Sequence, residues 1–227
     1  MTTENKKEKK PLGPCDVVTP IFRGSYVTLF EPRAPDITKP NENKQYGIEM
    51  WFRVAEACDE RLKDQPIVKI DDIVKAANAA AAEKWGVDPT KWPKGLKNPI
   101  KKGEDLTGKN GTLAGGIVLR TNRKESFGRP VVVDQNVKDI IDKDQVYSGA
   151  YFIAKAHAYA WEHPTGGKGV SFTLDMVQLH HDGEPLGNRL EAADAFASIP
   201  LPSSGKAEGA ASAPAAPAAG GVFGALG

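Results

Sequence analysis

Between Tyr147 and Trp161, side chains suited to holding a nucleic-acid strand recur at every second position: Tyr147, Tyr151, Lys155, His157, Tyr159 and Trp161, with Gly149 and Ile153 between them. The intervening positions are Ser148, Ala150, Phe152, Ala154, Ala156, Ala158 and Ala160. A period of two puts the first set on one face of a β-strand and the second on the other. Rings interleaved with cations can stack on bases and follow phosphates whatever the base sequence. The same rings could instead line a core. Lys155 and His157 on their face weigh against that, because a buried cation needs a partner. Alternation alone leaves open which face looks inward.

Charge elsewhere is balanced. The 227 residues carry a net +1. The body falls to −1 once the first ten residues (four Lys, two Glu) and the last twenty-five (one Lys, one Glu) are set aside. A nucleic-acid binder of this balance must concentrate its cations locally. They gather from Gly115 to Pro130, where Arg120, Arg123, Lys124 and Arg129 stand against Glu125 alone. With the strand's Lys155, Arg120 and Arg123 are the candidate phosphate contacts. Phe30-Glu31-Pro32-Arg33-Ala34-Pro35 is expected to present Arg33 on a stiff loop, since its prolines exclude a central strand.

Other chemistries find little support. His180 and His181 are adjacent and would point to opposite faces of a strand, while His157 and His163 lack a Cys or carboxylate at ligand spacing. Cys15 and Cys58 form no CxxC, which indicates neither a disulfide framework nor a zinc site and fits a reducing cytoplasm. Gly108-Lys109-Asn110-Gly111-Thr112 lacks the upstream Gly and the Ser/Thr directly after Lys that a phosphate loop needs. No nucleophile elbow or paired-carboxylate arrangement stands out. The expectation is a protein that is not an enzyme and carries no metal or cofactor. No apolar run approaches the ~20 residues of a membrane span, and the N-terminus is charged rather than signal-like.

The elements that must position these residues follow from periodicity. The long strand returns through the Pro- and Gly-rich stretch His163 to Gly169, making Tyr147 to Leu179 a hairpin. At about 3.3 Å per residue its first strand would span roughly 50 Å, so it must coil, bulge or overrun its sheet. Val17 to Phe22 and Tyr26 to Phe30 read as strands around a bend or bulge at Arg23-Gly24. Tyr46 to Phe52 alternates, with Tyr46, Ile48, Met50 and Phe52 on one side. The period then becomes helical from Ile70 to Trp85, where Ile70, Ile73, Val74, Ala77, Ala81 and Trp85 share a face and Gly86 ends the helix. Residues 88–111, rich in Pro, Gly and Lys, read as a surface loop, either an insertion or a lid. Strands return at Gly116 to Asn122 and Pro130 to Asp134, and Glu191 to Ser198 could form a short helix. The change of period from 2 to 3.6 and back predicts a mainly β fold, a small barrel of about five main strands with one helix against it.

Several of these stretches, in this order, resemble the single-stranded-DNA-binding proteins of tailed bacteriophages. They are Gly24 to Phe30, the Pro-Arg loop at Arg33, Pro130 to Asp134, Val146 to Gly149, the Tyr-rich strand to Trp161, Gly169 to Phe172, Val177 to Leu179 and Asp182 to Gly187. The likeness covers roughly residues 17–187. It implies a five-stranded OB-fold barrel with an inserted helix, and sequence-independent binding and protection of single-stranded DNA in phage replication and recombination. It points to Arg33, Arg120, Tyr159 and Trp161 as DNA contacts, in the cytoplasm of an infected bacterium.

The domain plan expected is a disordered basic arm over 1–14, an OB-fold domain over 15–199 and a disordered Ala/Pro/Gly-rich tail over 200–227. Replication or recombination proteins are the expected partners of the tail, which closes on Val222-Phe223-Gly224-Ala225-Leu226. Relatives commonly end in an acidic tail; here it holds only Lys206 and Glu208, which argues against electrostatic recruitment. Self-association stays open, and no membrane partner is expected. The competing reading is a structural or assembly protein that uses the aromatic hairpin as a protein–protein interface.

Overall fold

Eight strands and one α-helix form within residues 11–106 and 111–187, the part of the chain that this computed structural model describes. In chain order they are β1 (Asp16–Val18), β2 (Phe22–Arg33), β3 (Gln45–Arg53), α1 (Asp71–Trp85), β4 (Ile100–Lys102), β5 (Gly116–Lys124), β6 (Val131–Val133), β7 (Tyr151–His163) and β8 (Gly167–His181). The expected arm from Met1 to Lys10, the Glu191 to Ser198 helix and the tail from Pro200 lie outside the described residues.

β2, β3 and β5 form an antiparallel meander, and β7 and β8 form the hairpin. The two assemblies meet twice. β5 pairs in parallel with β8 through Thr121↔Phe172 and Asn122↔Thr173, and β7 pairs with β2 through Phe22↔Phe152 and Arg23↔Tyr151. The order β2-β3-β5-β8-β7 and back to β2 is therefore a closed five-stranded ring, an OB-like fold. β1, β4 and β6 are short additions along β7, β5 and β8.

The long strand turns its small face inward. Phe152, Ala154, Ala156 and Ala158 are buried with Phe22, Ile48, Met50, Phe52, Leu119 and Phe172 in one core. That core also holds Ile73, Ala76, Ala77, Ala80 and Ala81 of α1. Alanine facing alanine lets a helix come close to a strand where larger side chains would hold it off. The helix lies where its period placed it but is rotated: Ala76 and Ala80 are buried, while Val74 is exposed. Asp71 and Asp72 favour its N-terminus, and Gly86, at φ +92, ends it.

Three local expectations are corrected. The chain does not bend at Gly24. β2 runs straight through it and slips register between Ser25 and Thr28, where Tyr26 takes φ +49. Glycine is required at 24 for another reason: a Cβ there would lie 2.6 Å from Cε2 of Phe152.

Arg33 is not on a loop. It ends β2, opposite Gln45, and Pro32 is accommodated because the ladder is irregular between Thr28 and Arg33. Both faces of β3 are covered. Tyr46, Ile48, Met50 and Phe52 share one face, and Trp51 on the other packs with Leu62, Leu113 and Val118. The stretch 88–111 is more than a loop, since it carries a turn at Pro89–Lys91, strand β4 and a turn at Gly103–Asp105.

Candidate nucleic-acid interface

Residues directly opposite in a β-ladder share a face. On the outside of β2, β3 and β5 this gives four successive rows: Arg33–Gln45–Lys124, Thr28–Gly47–Asn122, Ser25–Glu49–Arg120 and Arg23–Trp51–Val118. The second row continues round the ring, because Asn122 is paired with Thr173, and Thr173 with His157. From His157 the outer face of β7 runs to Tyr159 and Trp161 at one end and to Lys155 and Ile153 at the other. Since β8 runs parallel to β5, Arg120 lies on the same side of that row as Tyr159 and Trp161. The fold thus brings these three together, while Arg33 and Lys124 sit two rows away.

Each candidate side chain has a distinct setting. Tyr159 is 44% exposed, opposite Ser171. Trp161 is half-buried; its Nε1–H donates to Ser171 Oγ at 2.9 Å, and Lys97 Nζ lies 5.7 Å from its ring centroid. Arg120 projects outward from β5 and donates to Glu49 Oε2 through Nε (3.2 Å) and Nη2 (2.5 Å). The other Glu49 oxygen accepts Trp51 Nε1–H at 2.9 Å. Arg33 is exposed near Glu31 at the end of its strand.

Two cations are engaged within the fold. Arg123, on the opposite face of β5 from Arg120, donates to the carbonyls of Phe127, Gly128 and Leu174 and pairs with Asp175 at 3.4 Å. Lys155 lies between Asp175 (2.9 Å) and Asp16 (3.5 Å). The Asp175 hydrogen bond raises the Lys155 pKa above the usual lysine value. Asp16, hydrogen-bonded by His157, is held below the usual carboxyl range.

Sequence reasoning missed Glu49, Asp175 and Lys97. Glu49 carried a signal, as the one acid in the apolar strand Tyr46 to Phe52. Its partner is 71 residues away, beyond what periodicity can pair. Among the described residues no group of three or more His, Cys, Asp or Glu is placed to hold a metal ion, and no helix is long and apolar enough to cross a membrane. What the surface offers is stacking and ion pairing, with aromatic rings and guanidinium on one outer half of the ring.

The family profile described as Enterobacter phage Enc34, ssDNA-binding protein, matches residues 15–207. Among solved structures the chain is similar to the single-stranded DNA-binding protein from bacteriophage Enc34, with 18% identity and a TM-score of 0.54 over 80% of this chain and 89% of that one. It is similar to the same protein in complex with ssDNA, with 16% identity and a TM-score of 0.55 over 76% and 90%. Gp2.5, a single-stranded DNA-binding protein encoded by bacteriophage T7, matches with 18% identity and a TM-score of 0.51 over 78% and 97%. No curated protein matches the chain. At these identities the structures speak for the fold, and the profile, which spans most of the sequence, speaks for descent: the chain belongs to the family of the Enterobacter phage Enc34 ssDNA-binding protein.

Proposed function

We propose that this protein binds single-stranded DNA with little regard to sequence and protects it during phage DNA replication and recombination in the cytoplasm of the infected bacterium. The binding domain is residues 15–199. The path runs over Arg120, Tyr159 and Trp161 and reaches Arg33, with Arg123 and Lys155 acting through the carboxylate and carbonyl groups that they hold. The reading rests on one observation: the alanine face of β7 is buried, which leaves Tyr159 and Trp161 on the outside beside Arg120. An exposed ring and a half-buried one on the same face as a cation suit bases and phosphates of an unpaired strand. Titration of tryptophan fluorescence with single-stranded DNA, duplex and RNA of matched length tests it. Quenching by single-stranded DNA that disappears in Trp161→Phe is the expected result, and a signal indifferent to single-stranded DNA would sink the reading.

One feature favours a protein–protein use of the hairpin as well. Val18, Lys155, Met176 and Val131 lie in one cross-strand row, and Val18, Met176 and Val131 are exposed. An apolar row of this kind suits self-association. Sedimentation of the DNA-free protein, with Met176→Glu as the comparison, tests that use independently of DNA binding.

A further inference from the structure

The insertion between α1 and β5 is tied to the hairpin at one end and to β5 at the other. Lys97 N–H donates to Lys168 O at 2.9 Å and Val170 N–H to Lys97 O at 3.2 Å, which sets Lys97 beside Gly169 in a parallel bridge. Four residues later Lys101 stands opposite Val118 on β5. The segment therefore crosses from the start of β8 to the start of β5, next to the place where those two strands pair.

Register fixes the face of both lysines. Gly169 is opposite Trp161, and Lys97 Nζ lies over that ring. Val118 is opposite Trp51 in the outer row next to Glu49 and Arg120. Lys97 and Lys101 thus share the outer face that carries Trp161 and Arg120, on either side of a turn at Asn98-Pro99 where Ile100 N–H donates to Asn98 Oδ1. The docking is close. A Cβ at Gly169 would lie 2.8 Å from Lys97 O and 3.0 Å from Cζ2 of Trp161. Both lysines are exposed and, among the described residues, neither makes an ion pair, whereas Arg120, Arg123, Lys155 and Lys168 each hold a carboxylate.

We infer that the insertion is part of the DNA-binding surface: Lys97 and Lys101 supply uncompensated phosphate contacts that link the stacking rings of the hairpin to Arg120 on β5. The inference rests on the single-stranded-DNA reading above and adds the element that carries free charge. An ammonium beside the Trp161 ring is within reach of the phosphates flanking any base stacked there, and its release of a counterion favours binding at low salt.

The test compares wild type with Lys97→Gln/Lys101→Gln, binding labelled oligo-dT over a range of salt. The double variant should melt as wild type does, flatten the log–log salt slope by about 1.4 and lose roughly 25-fold in affinity at 0.1 M salt. Lys102→Gln, on the opposite face of β4, should leave the slope unchanged, and Lys97→Arg/Lys101→Arg should restore it. If wild type binds but the glutamine variant keeps its slope, or the arginine variant loses it equally, the insertion lies off the path while DNA binding stands. If wild type fails to bind, both readings fall together.

Discussion

Arg120 reaches solvent from a carboxylate that does not: its Nη2 lies 2.5 Å from Glu49 Oε2, and the Glu49 side chain is 8% exposed against 67% for that of Arg120. The guanidinium is thereby held at a fixed height on the outer face, with Trp51 Nε1–H securing the second oxygen of Glu49. The cost is charge, because the pair presents little net positive field to a phosphate.

Glu49→Gln should release that charge. The amide oxygen can still accept from Trp51, and Arg120 becomes an uncompensated cation. Affinity for single-stranded DNA should rise about fivefold at 0.1 M salt and the slope steepen by about 0.7. Arg120→Ala should weaken binding to every sequence alike and flatten the slope by up to the same amount. A salt series on both variants decides. Weaker binding by Glu49→Gln would mean that holding Arg120 in place matters more than its net charge.

Tyr159 separates stacking from packing. Loss of a stacked base is worth about 1–3 kcal/mol, so Tyr159→Ala should weaken DNA binding about 5- to 150-fold. With the ring 44% exposed, the melting temperature should hardly move. Binding and melting measured on one preparation check this. A large loss of stability with intact binding would assign the ring to the core instead.

Lys155 has a stability role to be tested against its charge role. It is half-buried between Asp16 and Asp175, and Lys155→Met leaves the two carboxylates facing each other. The loss should be about 1–2 kcal/mol, between the values for exposed and buried pairs. At about 2–4 °C per kcal/mol for a chain of this size, the drop in melting temperature is readily measured. A large change in salt slope with no change in melting would place Lys155 on the DNA path instead.

The same triad shapes the pH dependence of stability. Asp16 titrates below its unfolded value, chiefly through the His157 hydrogen bond. Its contribution is complete above about pH 4 and is lost as pH falls through the folded pKa. Lys155 titrates above its unfolded value, chiefly through Asp175, so its contribution is complete below about pH 10 and is lost as pH rises through the folded pKa. Melting curves of Asp16→Asn across the acid range should fall less steeply than wild type. An identical acid limb would remove Asp16 from the account.

Gly24→Ala should destabilise without touching the outer face. Its Cβ would meet two carbons of the buried Phe152 ring at 2.6 and 2.8 Å. Overpacking of this kind costs about 1–3 kcal/mol, and DNA affinity of the folded fraction should be unchanged. Chemical denaturation beside a binding titration measures both. A variant as stable as wild type would show that the ring can move aside.

The hairpin and the helix were legible in the sequence because each is long enough for its period to show. The inward face of β7 was not, since Phe152 among five alanines and a row of tyrosines can each line a core. The choice is made by α1, whose own alanines need a close surface. The bend of β2 was assigned to Gly24 by composition, but that glycine answers to Phe152, and the bend falls on Tyr26. Arg120, Tyr159 and Trp161 could be picked out as surface chemistry. Their partners Glu49, Ser171 and Lys97 could not, because ladder register joins residues that no local pattern connects.

The ring is joined through two ladder pairs at β5–β8, bridged beside them by the insertion, and two at β2–β7, with Gly24 bonded to Gly149 and Ala150 next to them, while the meander and the hairpin are each held by long ladders. Mechanically the molecule is two leaves fastened along narrow seams, and the seams are where backbone amides should exchange with solvent first. Arg120 stands on one leaf and Tyr159 on the other, so an oligonucleotide touching both works as a staple across the β5–β8 seam. A bound strand would then do for the protein what the protein does for the strand, holding a loosely joined thing in one shape.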